Sequence, residues 1–320
     1  MMTLIHAKGS FVQWPQSHIH SPDKNYQGEE ALAMKSKPQK VSPLIRPNTF
    51  LGIKVSREFK QKHRTMDLKL LETEARVLKA SGTMINVEID EHILHNKQIC
   101  NLSYEELVHL LDEDEIGASH ITLFIRYLSE LTETMQSTSS YGFLCPHTLS
   151  PYSSVEDENY RSDYIARAMT CTGCGRGRKL IFAPYVEGEH WMLGVINPAQ
   201  SIVYWCDPVG YEEPRQFFVN TISKAFDKRN SIDPLAAYEA KELVWKKIKC
   251  PTQPIGSVLC GYYISSIHLW RSSRGRYVSI IPNFMLKAPK TYAFEQIDEV
   301  RDIWANFALQ FKPKISDDKV

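Results

Sequence analysis

Gly188-Glu-His-Trp-Met-Leu-Gly-Val-Ile-Asn-Pro-Ala-Gln-Ser-Ile-Val-Tyr-Trp-Cys-Asp207 holds two short apolar runs joined by turn residues. A third run, Leu180-Ile-Phe-Ala-Pro-Tyr185, precedes them across Glu187-Gly188-Glu189. Apolar runs this short, bounded by Gly, Asn and Pro, are the pattern of strands buried on both faces. A meander of three central strands is expected, with the last turn centred between Pro198 and Ala199. In that register His190 falls directly opposite Asp207, on one face, at the open end of the hairpin. Opposed side chains in an antiparallel pair start about 4.5–5.5 Å apart, within reach of an imidazole–carboxylate hydrogen bond.

Working outward, the periodicity changes. Ser103-Tyr-Glu-Glu106 reads as a capping box before Leu107, Leu110 and Leu111. Ile121, Phe124, Ile125, Leu128 and Leu131 form one stripe of a second helix. Residues 135–178 are rich in Ser, Thr, Gly and Asp and read as loops. Beyond the meander, Phe218, Ile222 and Phe226 mark an amphipathic helix, and Val244–Cys250 a strand with Lys246, Lys247 and Lys249 toward solvent. Cys260–Trp270 reads as a buried helix, and residues 294–310 as a last helix with Ile297, Val300, Ile303, Trp304 and Phe307 inward. Strands and helices alternate irregularly, so the expected class is α+β.

A histidine oriented by a carboxylate is half of a nucleophilic apparatus. Cys260, at the head of its helix, supplies the other half. The positive end of the helix dipole and a neighbouring imidazolium both favour a thiolate. Gly261 lets a substrate backbone approach. Gln253, just upstream, carries an amide N–H₂ able to donate to the oxyanion of a tetrahedral intermediate. Taken singly, Cys260 is a buried structural thiol, His190 a polar turn residue, Asp207-Pro208 a strand-ending turn and Trp191 core. Their order and the hairpin pairing lift them together.

The order His…Asp…Gln…Cys is the reverse of the papain arrangement. Gly188-Glu-His-Trp191, Tyr204-Trp-Cys-Asp207 and Gln253…Cys260-Gly-Tyr-Tyr263 together resemble the ubiquitin-like-protein-specific (SUMO) protease family. The best likeness is to the copies carried by plant transposable elements. The resemblance implies a papain-like, adenain-like cysteine protease: a small mixed sheet flanked by helices, with the nucleophile heading a buried helix. It implies His190, Asp207 and Cys260 as the triad, Gln253 at the oxyanion, and Trp191 lining a tunnel for a Gly-Gly tail. The substrate would be a ubiquitin-like modifier or its conjugates. One departure stands out: the seven-residue step from Gln253 to Cys260 is one longer than the family's commonest spacing. The likeness spans about residues 100–310. It divides the chain into a weakly ordered tail (1–60), an extension (61–99), a catalytic domain (100–312) and a short tail (313–320). A retired, modifier-binding module and an acyltransferase on the same scaffold are the competing readings.

The remaining features narrow the field. A net charge of +1 gives no pull toward nucleic acid or membrane, and seven cysteines are an odd number for a disulfide framework. No apolar run approaches a bilayer span. A nuclear or cytoplasmic monomer with no cofactor is expected. Cys171-Thr-Gly-Cys174, with Cys145 and His147 nearby, lacks regular zinc-finger spacing, so no metal is assigned. The basic run Gly175-Arg-Gly-Arg-Lys179 reads as a solvated loop.

Overall fold

The computed structural model describes residues 64–136, 141–153, 157–170, 180–210, 213–233, 241–272 and 289–311, the last six of helix Cys260–Ser272 by backbone alone. The readings made for residues 1–60 and 313–320, for Cys171 and Cys174, and for the basic run after them lie outside the described residues.

The chain starts with α1 (Met66–Ser81), capped at Thr65 and ended by Gly82 in the left-handed region. An antiparallel pair, β1 (Ile85–Ile89) and β2 (Gln98–Leu102), encloses the short α2 (Glu91–Leu94). The capping box then forms as the sequence requires: Ser103 Oγ accepts from Glu106 N–H, and the Glu106 carboxylate accepts from Ser103 N–H. It opens α3 (Tyr104–Leu111), which α4 (Ala118–Thr134) follows. Residues 61–99, an extension in the sequence reading, bring Leu68, Leu71, Ala75, Leu78, Ile85, Val87 and Ile89 into the same hydrophobic core as the later elements.

Residues 135–178 are not all loop. They hold β3 (Tyr141–Phe143), α5 (Pro146–Leu149) and α6 (Glu158–Thr170). Helix α6 is polar overall, burying Tyr164, Ile165 and Ala168 in the core and adding hydrogen-bond anchors. The Tyr164 hydroxyl donates to Leu94 O and accepts from Cys145 N–H, while Arg161 Nε donates to Thr148 O. Periodicity does not register such anchors.

The meander forms β4 (Leu180–Glu187), β5 (His190–Asn197) and β6 (Ile202–Cys206), followed by α7 (Gln216–Ile232) and β7 (Val244–Lys247). These make a five-stranded mixed sheet in the order β3-β4-β5-β6-β7, parallel at both outer pairs and antiparallel within. The class is α+β. One face of the sheet takes the ring of Phe218 from α7 against Tyr185, Trp205 and Trp245. Phe218 comes so close that a Cβ on Gly194 would sit 2.6 Å from its ring, which is why a glycine occupies mid-strand there. Helix α8 (Cys260–Ser272) packs against β5, α4 and α9 (Phe294–Ala308). Among the described residues, no helix is long and apolar enough to cross a membrane.

The β5–β6 register corrects the sequence reading. Leu193 pairs with Cys206 and Asn197 with Ile202, so the turn centre lies one residue later and each pairing shifts by two. The cause is that β5 runs on through Asn197, so the four-residue loop 198–201 is centred between Ala199 and Gln200. Asn197 organises it by accepting the Gln200 N–H on its side chain, and Ser201 closes it at φ 51°. Asp207 is therefore aligned with Met192 and lies diagonally from His190.

Candidate active site

His190 is the first residue of β5, and a tight turn sets its position. Gly188 and Glu189 both have positive φ, 63° and 62°, joining the Glu187–His190 pair as a two-residue hairpin loop. The Gly188 N–H donates to the Tyr152 hydroxyl at 3.2 Å, which ties the turn to the body. The β5–β6 ladder stops at Leu193, so His190, Trp191 and Met192 overhang β6 and pair only with β4.

Asp207 lies one residue beyond the end of β6. Its Oδ1 is 2.7 Å from His190 Nε2 and also accepts the Val209 N–H at 2.8 Å. The second bond makes an Asx turn that holds the carboxylate where the overhanging histidine reaches it. Both side chains are screened from water, at 12% and 1% exposure. The Cys250 thiol donates to the Asp207 carbonyl and Gln253 N–H donates to the Pro208 carbonyl, locking the loop behind the carboxylate.

Cys260 opens α8 and is buried. Its sulfur accepts the Trp191 backbone N–H at 3.4 Å, and its side chain is hydrogen-bonded to the His190 ring. With Nε2 turned to Asp207, Nδ1 is the ring nitrogen left for the thiol. Burial is the largest single influence on His190 and pushes its pKa down. The hydrogen bonds with Asp207 and Cys260, and the charges of both partners, outweigh it and raise the value to about 9. The ring thus lies between a carboxylate and a sulfur that also receives an amide N–H.

Gln253 lies in the same loop system. Its Nε2 donates to the Ser257 carbonyl at 2.8 Å. An amide nitrogen carries two hydrogens, and this bond engages one. Pro254–Ser257 is a closed turn with Gly256 at φ 76°.

Gly261 and Trp191 meet a residue the sequence reading did not single out. A Cβ on Gly261 would lie 2.4 Å from Ile116 Cγ1 and 3.2 Å from Trp191 Cδ1. The Trp191 indole N–H donates to the Ile116 carbonyl at 2.7 Å. Ile116 thus roofs the residue next to the thiol. Tyr152 was also missed. Both contacts come from distant parts of the chain, and no local pattern marks either residue.

Carboxylate, imidazole and thiol thus lie in one line, an arrangement that can support nucleophilic attack by sulfur. No family model and no curated protein matches the chain. Solved structures do. The chain is similar to the SUMO protease Ulp1 with its catalytic cysteine oxidised to a sulfenic acid, at 15% identity over 76% of this chain and 94% of that one, TM-score 0.48. It is similar to the Chaetomium thermophilum Ulp1-like SUMO protease catalytic domain, at 13% identity over 75% and 89%, TM-score 0.49. It is also similar to the Xanthomonas campestris effector XopD bound to ubiquitin, at 15% identity over 60% and 90%, TM-score 0.34.

Proposed function

We propose that the chain is a cysteine protease that cleaves after the C-terminal glycine of a ubiquitin-like modifier. The observation that carries this reading is the bonded series Asp207–His190–Cys260, in which a raised imidazole pKa coincides with a sulfur accepting the Trp191 amide. The substrate class follows from the sequence resemblance to SUMO-specific proteases.

The Cys260 thiolate attacks the glycine carbonyl and forms a C–S bond. The carbonyl electrons move to oxygen, and a Gln253 N–H and a backbone N–H near Cys260 receive the oxyanion. Collapse breaks the C–N bond as His190 Nδ1 gives its proton to the leaving amine. Now neutral, His190 takes a proton from water. The water oxygen attacks the thioester, and the modifier leaves as a carboxylate while the thiolate is restored. Asp207 keeps Nδ1 directed at the sulfur throughout.

The test is labelling by a modifier that carries a C-terminal electrophile. Wild-type protein is expected to gain one modifier mass by intact mass spectrometry, and Cys260→Ala none. Equal labelling of both would remove Cys260 as the nucleophile. Tight binding of the modifier without labelling of the wild type would make the chain a binding module.

A further inference from the structure

Two buried arginines meet at the C-terminal end of α3, and neither belongs to the site described above. Arg301, on α9, donates to Leu110 O at 3.0 Å and Leu111 O at 2.9 Å. It also pairs with the Glu113 carboxylate at 2.7 Å and with Asp298 at 2.5 Å. Arg64, just before α1, adds a second bond to Leu111 O at 2.9 Å and one to the Asp112 carboxylate at 2.9 Å. The last carbonyls of a helix have no intrahelical donor and form the negative end of its dipole. A guanidinium fork suits them, because it presents several fixed donors.

Glu113 is itself unusual. It has φ 55°, a left-handed conformation that a non-glycine residue adopts at a cost. Its carboxylate is buried against Arg301, with side-chain exposure of 4% on each partner. From this fixed point the chain arches over residues 114–117. The Asp114 N–H returns to His109 O, and the Gly117 N–H donates to His120 Nδ1. The crown of the arch is Ile116, whose carbonyl holds the Trp191 indole and whose side chain covers Gly261.

We propose that Arg301 is a positioning residue. It anchors the arch through Glu113 and the α3 carbonyls, and so sets where Ile116 and Trp191 stand over the residue next to Cys260. This rests on Cys260 being the nucleophile, but the decisive measurement does not require activity.

That measurement is hydrogen exchange of the indole N–H groups by NMR in the full chain. Trp191 reports the arch. Trp304, on the same helix as Arg301, donates its indole N–H to His120 O at 3.0 Å and reports the local packing of α9. Arg301→Lys should speed exchange at Trp191 by about tenfold or more while leaving Trp304 within about twofold of wild type. Glu113→Gly relieves the left-handed strain but cuts the tie to Arg301, and should reproduce the Trp191 effect even if the lysine variant folds poorly. Equal loss of protection at both indoles would make Arg301 a structural residue of α9, and an unchanged Trp191 would break the link to the site.

In an active preparation the same variants should raise KM for a modifier substrate more than they lower kcat. Combined with Ile116→Ala, their effects should be less than additive, because the arch then has no side chain left to misplace. Additive effects would overturn the proposal. Failure of wild-type labelling would instead overturn the assigned function and leave the exchange result standing.

Discussion

Asp207→Asn is the sharpest perturbation the geometry offers. The asparagine keeps an Oδ1 that can accept the Val209 N–H, so the loop behind the site retains its anchor. It removes the charge beside His190, leaving a neutral amide oxygen against Nε2 in place of the carboxylate. His190 stands at about 9 against an ordinary 6.5, equivalent to about 3 kcal/mol of preference for the charged ring. Burial already pulls the other way and outranks every other single influence. Without the carboxylate, His190 should titrate near or below its ordinary value. The assay is the pH profile of modifier-probe labelling, read as kcat/KM. Wild type should keep its rate up to a basic limb near pH 9. In Asp207→Asn that limb should move down by about 2.5 pH units, with the rate at pH 8 lower by roughly 30-fold. Stability should follow with the same sign. A histidine with a raised folded pKa stabilises fully below the unfolded value and loses that contribution as pH rises through the folded one. Wild-type Tm should therefore decline between about pH 7 and pH 10, and the variant should lack this part of the decline. A basic limb that stays put in Asp207→Asn would refute the claim that this carboxylate sustains the imidazolium.

Three further outcomes can be stated. His120 is fully buried, its Nδ1 accepting from Gly117 N–H and its Nε2 bonded to Glu106 O, and burial lowers its pKa to about 4. The unfolded chain binds the proton more readily, so stability should be intact above about pH 6.5 and fall toward pH 4, with His120→Gln giving a flatter acid limb in thermal melts. Gly194→Ala puts a methyl 2.6 Å from the Phe218 ring and should cost about 1–3 kcal/mol in denaturant unfolding, with part of the loss recovered by Phe218→Leu. Gly261→Ala meets Ile116 at 2.4 Å and should suppress probe labelling, with Ile116→Ala restoring much of it; no recovery in the double variant would mean the two do not share that space.

The readable parts of the sequence were those where one physical rule dominates. Buried central strands leave apolar runs, so β4, β5 and β6 were visible, and a capping box announces α3. Helix α6 was missed because its buried apolar set is short, Tyr164, Ile165 and Ala168, and part of its hold lies in Tyr164 and Arg161 hydrogen bonds. The contributions of Ile116 and Arg301 depend on contacts across 75 and about 190 residues, which no local pattern encodes. Gln253 was read as an oxyanion donor from its position, whereas its bond to Ser257 O depends on a turn whose shape rests on Gly256.

The register error explains why the proximity of His190 and Asp207 was nevertheless legible. Strand side chains alternate with a period of two, so a slip of one would have sent Asp207 to the opposite face. The actual slip is two, which keeps the face and moves the partner along the strand by about 6.6 Å. Two features close that gap. The β5–β6 ladder ends at Leu193, which frees His190 from a partner on that side, and the Asx turn at Asp207 directs the carboxylate back toward it. The site is therefore built where a long strand outruns a short one. The sheet fixes the face, and the turn at Asp207 supplies the reach that the sheet register alone does not provide.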